Sequence, residues 1–400
     1  MNIGIVTTWF ERGAAYVSRV YLEMLQKEDH NVFVFARGGK IPPADIDKWN
    51  ETYVTRDTTY QNTQINKKEF FKWINQNHIE AILFNEQQDF RIVGETKKKF
   101  PNVKLAAYVD YYTERTKDWF ELYDFVICNT YRHMQAMKKH PQKFYLQWGT
   151  DINLYKPTNE VHDQVTFFHS VGMSTRKGTD ILLDAFINGE CYKQSKLIIH
   201  TQIPIERFTK YDRVFLQNNN VEIIEKTVTA PGLYFMGDVY VYPTRLDGLG
   251  LTMYEAAASG LPIITTDFPP MNEAVKEEFG RLVKVHDFYC RQDAYFFPMA
   301  ICDRDDLIRC MRWYIDHPEI LNEQKIKVRE YALDHYDIMS RSKECSEIFV
   351  NSKIRKLNVD LYKEIIRYYK KESNFIFQYS NNRTWIYNLK KNILKMKKGK

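Results

Sequence analysis

Several features that would place this 400-residue chain in a special class of protein are missing from its sequence. It contains no stretch of about 18 apolar residues, which argues against a membrane-spanning helix. The first residues, Met1–Val6, lack the basic region and the long apolar run of a secretory signal. The six cysteines include no C-x-x-C pair, so the sequence indicates neither a zinc site nor a disulfide framework. Together these absences predict a reduced protein of the cytoplasm.

Acidic residues are missing from the end of the chain. Between Ser373 and Lys400 there are seven basic residues and no acidic one, whereas the net charge of the whole chain is +6. The preceding part is therefore close to neutral, which argues against a nucleic-acid-binding face on it. Apolar residues recur in the tail at roughly helical spacing: Trp385, Ile386, Leu389, Ile393 and Met396. We expect this basic amphipathic tail to contact an anionic membrane surface, the alternative being a solvated terminus.

The residues that are present suit a chain with two domains. Hydrophobic residues make up 44% of the sequence, which is enough for ordinary cores. The length suits two domains of about 150–200 residues each. Aromatic residues reach 15% of the sequence. They could form ring-stacking surfaces for sugars or bases, but a core rich in Tyr and Phe is the simpler interpretation.

The N-terminal part begins with the pattern of a nucleotide-binding βαβ unit. A buried strand at Asn2–Thr8 is followed by a loop containing Gly13, an amphipathic helix at about Tyr16–Gln26 and a second strand at Asn31–Ala36. Further strands are predicted in this part at Ala81–Phe84, Lys104–Val109 and Phe125–Cys128. No G-x-G-x-x-G follows the first strand, which argues against a dinucleotide-dependent oxidoreductase.

A second series of strands and helices follows a linker at Lys156–Asn159. Its strands are predicted at Val165–Val171, Lys196–Thr201, Val221–Ile224, Val239–Pro243, Ile263–Thr266 and Arg281–Val285. Because both series alternate strands with helices, each predicts a doubly wound α/β sheet with a ligand site at the carboxyl ends of its strands. We therefore predict Rossmann-like domains at 1–157 and 158–335, C-terminal helices at 336–372 that cap either domain, and the basic tail at 373–400.

The glycine loop that begins at Asp247 carries the strongest functional signal. Gly248 and Gly250 let the backbone approach a ligand closely. A helix is predicted at Thr252–Ser259, so its free N–H groups would face whatever lies in the loop. Glu255 lies about one turn into that helix. A glycine loop, a helix N-terminus and two carboxylates suit a phosphate joined to a hydroxylated group such as a sugar.

A second glycine loop lies upstream, at Gly172–Thr179. Its Arg176 and Lys177 are neighbouring cations beside Gly178, which suits a diphosphate because the backbone can approach it there. Taken alone, this loop is more simply a solvated basic turn. Taken with the downstream loop, we interpret it as the other half of a diphosphate site.

These separated motifs resemble the retaining GT-B glycosyltransferases of the family 4 type, the glycosyl transferases group 1. The loop Gly172–Gly178 is similar to the family's Gly–basic–Lys–Gly loop. The segment Asp247–Ile264 is similar to the family's signature of two Glu residues separated by seven positions, with Asp in place of the first Glu. Trp148–Asp151 is similar to the junction between the family's two domains. The resemblance covers both predicted domains and is strongest in the second.

The resemblance implies a GT-B fold, in which two Rossmann-like domains face each other across a cleft. It implies transfer of a sugar from a nucleotide-diphosphate donor, with retention of configuration and without a metal or other cofactor. It implies that Arg176 and Lys177 hold the donor diphosphate and that Glu255 binds the ribose, the alternative for Glu255 being stabilisation of the helix dipole. The other residues implied on the donor side are Gly13, Leu249, Gly250, Leu251 and Thr252.

Asp247 and Asp110 are the candidate catalytic residues. By resemblance, Asp247 lies near the transferred sugar, although its side chain is one methylene shorter than the family's Glu. Asp110 follows a predicted strand and would contact the acceptor or the donor sugar, or cap a helix. Many members of the family carry a His directly before it, where this chain has Val109. The sequence offers no evident pair of carboxylates for a double displacement, and the resemblance implies front-face attack in which the diphosphate helps to take the acceptor proton.

Two D-x-D pairs, Asp45–Asp47 and Asp303–Asp305, have a spacing found in some metal sites. The first follows two prolines in a loop, and the second begins a predicted helix. Neither completes a recognisable ligand set, so no metal site is predicted.

The resemblance therefore implies a hexosyltransferase that moves a sugar from a nucleotide sugar to a glycan or lipid-linked acceptor. Its expected role is the synthesis of surface polysaccharide in the cytoplasm, with the tail making it peripheral to the membrane. The alternative is a glycosyltransferase-like binding protein that holds a nucleotide or glycan without turnover. Asp247 and Val109, where the family has Glu and His, favour that alternative.

Overall fold

The computed structural model describes residues 1–37, 48–58 and 63–373. The predicted D-x-D pair Asp45–Asp47 and the predicted basic tail after Ser373 lie outside these residues. Within the described part, two parallel β-sheets, each with helices packed on it, occupy successive halves of the chain. The predicted α/β fold with two Rossmann-like domains is therefore confirmed.

The first domain contains a parallel sheet with the strand order β3-β2-β1-β4-β5-β6-β7. Its strands are β1 (Asn2–Thr7), β2 (Asn31–Ala36), β3 (Val54–Arg56), β4 (Ala81–Asn85), β5 (Lys104–Tyr108), β6 (Phe125–Cys128) and β7 (Lys143–Tyr145). Its helices are α1 (Gly13–Lys27), α2 (Lys67–Gln76), α3 (Phe90–Lys99) and α4 (Tyr131–Ala136). The strand order reverses between β1 and β4, which is the place where ligands bind in open parallel sheets.

The second domain repeats this topology with the strand order β10-β9-β8-β11-β12-β13. Its strands are β8 (Thr166–Gly172), β9 (Lys196–Thr201), β10 (Val221–Glu225), β11 (Val239–Tyr242), β12 (Ile263–Thr266) and β13 (Gly280–Val283). Its helices are α5 (Thr179–Asn188), α6 (Arg213–Asn218), α7 (Leu251–Ala258), α8 (Arg304–Asp316) and α9 (Leu321–His335). Here the reversal lies between β8 and β11, directly beside the two predicted glycine loops.

The structure differs from the sequence prediction at one place that bears on function. The predicted strand Arg281–Val285 is two strands, because β13 ends at Val283 and β14 (Val285–Tyr289) turns away from the sheet. β14 pairs antiparallel with β15 (Met299–Cys302). The resulting hairpin reaches the first domain, where Phe296 N–H donates to the carbonyl of Tyr112 at 2.9 Å.

Two helices after the second sheet return to the first domain. These are α10 (Ser342–Asn351), which packs against α1, and α11 (Val359–Ser373), which packs against α3. The Nε2 of His30 lies 2.7 Å from the hydroxyl of Ser346, and the ring of Tyr362 covers Gly94. The end of the described chain therefore covers the first domain, and the chain crosses between the domains a second time.

Aromatic side chains supply the largest fully buried groups of the cores, among them Trp9, Tyr112, Phe125 and Tyr242. Other rings line the cleft, among them Tyr111, Tyr155, Tyr234 and Tyr295. Among the described residues, the longest helices are too short or too polar to reach across a membrane.

Candidate active site

The candidate site is a cleft between the two domains that contains two neighbouring cavities. The smaller cavity has a volume of about 390 Å³ and is lined by residues that include Tyr155, Tyr234 and Glu255. The larger has a volume of about 910 Å³ and is lined by residues that include Asp110 and Asp247. Glu11, Val17 and Leu251 line both cavities. A ligand with two parts could therefore occupy both cavities at once.

The glycine loop after β11 separates the two cavities. Gly250 has a φ of 73°, and α7 begins directly after it at Leu251. The free N–H groups of α7 consequently open toward the cleft. Leu249 lines the larger cavity and Thr252 lines the smaller one, so this loop passes between the places where the two parts of a ligand would lie.

The Asp247 carboxylate is paired with Lys177. The distance between Lys177 Nζ and Asp247 Oδ2 is 2.5 Å, and the hydroxyl of Tyr242 contacts both groups. The other oxygen of Asp247 accepts a hydrogen bond from Gly248 N–H at 2.8 Å. Burial alone would raise the pKa of Asp247, but the charge of Lys177 and the hydrogen bonds from Lys177 and Tyr242 lower it well below its ordinary value. Asp247 is therefore ionised at neutral pH. Its partner Lys177 is one of the two cations that were predicted to hold a diphosphate.

Glycine is required in the upstream basic loop. Gly178 has a φ of 77°, and a Cβ atom there would lie 2.0 Å from the carbonyl oxygen of Pro243. The close approach holds the loop between β8 and α5 against the end of β11. Arg176 lies in this loop and lines the larger cavity, and its carbonyl accepts a hydrogen bond from Arg245 N–H at 2.9 Å. The two predicted glycine loops are thus adjacent in space.

Glu255 lies one turn into α7 and faces the smaller cavity. The hydroxyl of Tyr234 donates to its Oε2 at 2.5 Å. Burial raises the pKa of Glu255, and hydrogen bonds from Tyr234 and Tyr155 act in the opposite direction. The sequence prediction missed both tyrosines, because Tyr155 directly precedes the linker and Tyr234 lies in a short turn before β11, and neither lies in a recognisable motif.

Gly13 begins α1 on the opposite side of the cleft from α7. A Cβ atom at Gly13 would meet only the Leu251 side chain, at 4.0 Å, so the backbone is open to the larger cavity. The neighbouring Arg12 lies 3.8 Å from the carboxylate of Glu86. Two helix N-termini, one from each domain, therefore open toward the same cleft.

Asp110 follows β5 and faces the larger cavity. Burial raises its pKa to about 8, with a further contribution from the charge and hydrogen bond of Glu86, while Arg132 acts in the opposite direction. Nε2 of the buried His133 lies 4.0 Å from Asp110 Oδ1, and Nδ1 lies 2.8 Å from the hydroxyl of Tyr112. Asp110 does not cap a described helix, so the cavity-facing role is the one that its position allows.

Sequence reasoning did not find Glu86 or His133. Glu86 follows β4, and His133 lies in the first turn of α4. Glu86 directly follows β4 and α4 follows β6, and both of these strands neighbour β5 in the sheet. This position at one edge of the sheet is the signal that could have indicated the two residues. The inter-domain hairpin completes this side of the cavity: its Tyr295 donates a hydrogen bond to the Asp110 carbonyl at 3.0 Å and stacks on Tyr111, with ring centroids 5.3 Å apart.

No group of three or more potential metal-ligating side chains converges within the part of the chain that the structure describes. The second predicted D-x-D pair has a structural role. Asp303 caps the N-terminus of α8 by accepting from Asp306 N–H at 2.8 Å, and Asp305 pairs with Arg304 at 3.0 Å. These side chains are engaged in capping and ion pairing at the start of α8.

Part of the chain matches a family of known proteins. Residues 163–292 match the family model described as glycosyl transferases group 1. Over 130 residues the chain is 29% identical to the lipopolysaccharide core biosynthesis mannosyltransferase LpsB of Rhizobium meliloti (strain 1021). That match covers 30% of this chain and 37% of the relative, so it spans little more than a third of the curated protein's length.

Solved structures match over most of the chain. The crystal structure of Anabaena Alr3699/HepE in complex with UDP and glucose aligns with a TM-score of 0.67 at 14% identity, covering 88% of this chain and 99% of the other. A glycosyltransferase from Rickettsia africae ESF-5 aligns with a TM-score of 0.67 at 12% identity, covering 91% and 98%. The chain thus has the GT-B fold, and the resemblance to group 1 glycosyltransferases inferred from the motifs is confirmed.

Proposed function

We propose that this protein is a glycosyltransferase that moves a hexose from a nucleotide-diphosphate sugar to a glycan or lipid-linked acceptor. The observation that carries the proposal is the pair of adjoining cavities separated by a glycine loop and a helix N-terminus. A nucleotide fits the smaller cavity, where the Glu255 carboxylate can accept hydrogen bonds from ribose hydroxyls. The diphosphate then crosses the loop, and the sugar and acceptor share the larger cavity.

The positive groups beside the loop supply the chemistry that a leaving diphosphate requires. Arg176, Lys177 and the N–H groups that open α7 would stabilise the charge that develops on it, without a requirement for a metal ion. The ionised Asp247 holds the Lys177 ammonium next to this position. As negative charge builds on the diphosphate, Lys177 can share its hydrogen bonds between the carboxylate and the phosphate oxygens.

We propose retention of configuration by front-face attack. A double displacement needs a carboxylate free to attack the sugar, whereas Asp247 is engaged by Lys177, Tyr242 and Gly248. The acceptor hydroxyl would attack the anomeric carbon as its bond to the diphosphate breaks, and the departing diphosphate would take the acceptor proton. Asp110 and its hydrogen-bonded neighbour Glu86 would orient the acceptor or the sugar in the larger cavity.

UDP is the first donor nucleotide to test. The solved relative HepE is described with UDP and glucose, and the pneumococcal GtfA is described with UDP and GlcNAc. A surface glycan is the proposed acceptor class, since the curated relative LpsB is a mannosyltransferase of lipopolysaccharide core biosynthesis. A thermal-shift screen against UDP-, GDP- and ADP-sugars would identify the donor, and the sugar that stabilises the protein should then be transferred or slowly hydrolysed.

We also propose that the protein works at the cytoplasmic face of a membrane, held there by the basic tail. Truncation after Ser380 removes the seven basic residues of the tail. It should reduce partitioning onto anionic vesicles, because each basic residue near such a surface contributes about 1 kcal/mol. Equal partitioning of the truncated and full-length proteins would refute this part of the proposal.

The second candidate function is binding of a nucleotide or glycan without turnover. The closed Lys177–Asp247 pair favours it, since a cation that stays on the carboxylate cannot stabilise a leaving group. The two functions differ in one measurement. Retained nucleotide binding without transfer and without slow hydrolysis of any nucleotide sugar would support the binding protein and contradict the transferase.

A further inference from the structure

A reciprocal set of hydrogen bonds joins the two domains beside the candidate active site. The first domain contributes the start of α4, and the second contributes the turn Met271–Glu273. The Glu273 carboxylate accepts from the backbone N–H of Tyr131 at 2.7 Å and from that of Arg132 at 2.9 Å. The side chain of Arg132 in return donates to carbonyl oxygens of the second domain. We refer to these contacts of Arg132 and Glu273 as the inter-domain clamp.

The Arg132 guanidinium bridges two separate loops of the second domain. Its Nη2 donates to the carbonyl of Asp247 at 2.6 Å, and its Nη1 donates to the carbonyl of Pro269 at 2.9 Å. The group lies 4.3 Å from the ring centroid of Phe297 in the hairpin, and Arg132 is only 6% exposed. A planar, permanently charged fork can hold two carbonyls in fixed relative positions, which a flexible ammonium cannot do.

The clamp contacts the main chain of Asp247, whose side chain pairs with Lys177. The next residue, Gly248, lies against Asp110 of the first domain so closely that a Cβ atom there would be 2.3 Å from its Oδ1. A glycine loop has many accessible backbone conformations, so its position must be fixed from outside. Here the donor that fixes it comes from the other domain.

We propose that Arg132 is a positioning residue for the glycine loop, and that Glu273 in turn fixes Arg132, so that closure of the domains and placement of Asp247 are one event. The inference rests on the proposed function and extends it to the step that prepares the site. Separation of the domains would remove the donor from the Asp247 carbonyl and free the loop. The polar groups proposed to hold the ribose, Glu255 and Tyr234, belong to the second domain, although α1 of the first domain also lines the smaller cavity. Loss of the clamp should therefore change nucleotide affinity much less than the rate.

We expect substitutions in the clamp to lower the rate of sugar transfer or hydrolysis without a comparable loss of affinity for UDP. In Arg132→Met, the rate of sugar transfer or hydrolysis should fall roughly 30-fold or more, as for other lost transition-state interactions. The dissociation constant of UDP, measured by calorimetry, should stay within about threefold. Arg132→Lys should recover part of the rate, because one ammonium can reach one of the two carbonyls. Glu273→Ala should lower the rate likewise, and combining it with Arg132→Met should add little, since both act on the same contact.

A matched control is available in Arg312, which also donates to a main-chain carbonyl. Arg312 lies on α8, away from the cleft, and its Nη2 donates to the carbonyl of Gly189 at 2.6 Å. Arg312→Met removes the same chemical group and should leave both rate and affinity unchanged. An unchanged rate in Arg132→Met, or a loss of UDP affinity as large as the loss of rate, would overturn the positioning role.

A second measurement separates failure of the clamp from failure of the proposed function. If the wild-type protein turns over no nucleotide sugar, the proposed function fails. The clamp is then tested by small-angle X-ray scattering in the presence of UDP. The radius of gyration should be larger for Arg132→Met and Glu273→Ala than for the wild type and Arg312→Met. Equal radii in all four proteins would overturn the clamp.

Discussion

At the scale of single residues, Glu255 and Asp247 differ although the sequence presents them as a pair of acids. Glu255 is held by two tyrosine hydroxyls and faces the smaller cavity. Asp247 is held by a cation and faces the larger one. A carboxylate held by neutral hydroxyls can exchange those donors for ribose hydroxyls, whereas one held by Lys177 mainly sets the position of that cation. The shorter side chain of Asp, compared with the family's Glu, suits this second role.

Glu255→Ala should weaken UDP binding. Two charge-assisted hydrogen bonds to the ribose would be lost, each worth roughly 1.5–3 kcal/mol, so the dissociation constant should rise at least about 10-fold. Calorimetric titration with UDP measures this directly. Glu206→Ala, which removes an exposed carboxylate paired with Arg213, is the control and should bind UDP normally. Equal affinity of Glu255→Ala and wild type would refute the ribose role.

The buried carboxyl of Asp110 makes stability depend on pH. Asp110 ionises near pH 4 in the unfolded chain but remains protonated up to about pH 8 in the folded protein. Between these values only the unfolded chain releases the proton, so this group lowers the free energy of unfolding as pH rises from about 4 to 8. Glu86→Gln removes the neighbouring charge and should lower the folded-state pKa of Asp110.

We expect the difference in free energy of unfolding between Glu86→Gln and the wild type to grow as pH rises. The free energy of unfolding in urea should be similar for Glu86→Gln and the wild type near pH 4.5. Near pH 8 the variant should be more stable by on the order of 1 kcal/mol, because one pKa unit corresponds to about 1.4 kcal/mol. A difference that does not vary with pH would mean that Glu86 does not hold the proton on Asp110.

At the scale of elements, the sequence predicted the strands that are buried on both faces. Ile263–Thr266 and Phe125–Cys128 were predicted at their observed limits, because short runs of apolar or β-branched residues are typical of strands buried on both faces. The edge strands β3 and β7 were missed, since three partly buried residues carry too little pattern. The hairpin β14–β15 was missed because its first strand continues β13 almost without interruption and differs from it only in its partner.

The residues of the candidate site also fall into two groups, those that lie in sequence motifs and those that do not. Arg176, Lys177 and Glu255 stand in two contiguous motifs, and the resemblance to a known family implied that these motifs act at one site. Glu86 and His133 come from separate elements that follow β4 and β6, and they meet because parallel strands place their carboxyl ends at one edge. Tyr155 and Tyr234 reach Glu255 from irregular segments that no motif marks. Contacts between domains, such as those of Arg132, depend on the relative position of two sheets, which no local pattern determines.

Gly178→Ala should destabilise the second domain. A methyl group would overlap the Pro243 carbonyl at 2.0 Å, and the residue would keep a left-handed conformation. Overpacking of this kind costs about 1–3 kcal/mol, and the left-handed conformation adds about 1–2 kcal/mol. Gly172→Ala is the matched control, since it has a φ of 58° but its nearest neighbour lies 3.5 Å away. Equal free energies of unfolding for the two variants would contradict the close approach.

At the scale of the whole molecule, the chain crosses between the domains twice, at the linker near Tyr155 and again after α9. The hairpin and the inter-domain clamp add non-covalent links on the side of the cleft that carries Asp110 and Asp247. The charges of the site are therefore assembled from both domains, and the account requires that they act together on one bound nucleotide sugar.

Joint action of these charges is measured by turnover of the nucleotide sugar that stabilises the protein in the thermal-shift screen. Purified protein is incubated with that donor labelled in its sugar, and release or transfer of the label is followed for the wild type and for Lys177→Met. The account predicts turnover by the wild type and a loss of at least about 10-fold in the variant, because a cation beside the leaving diphosphate is removed. Turnover that is equal in the two proteins, or absent from the wild type, would contradict it.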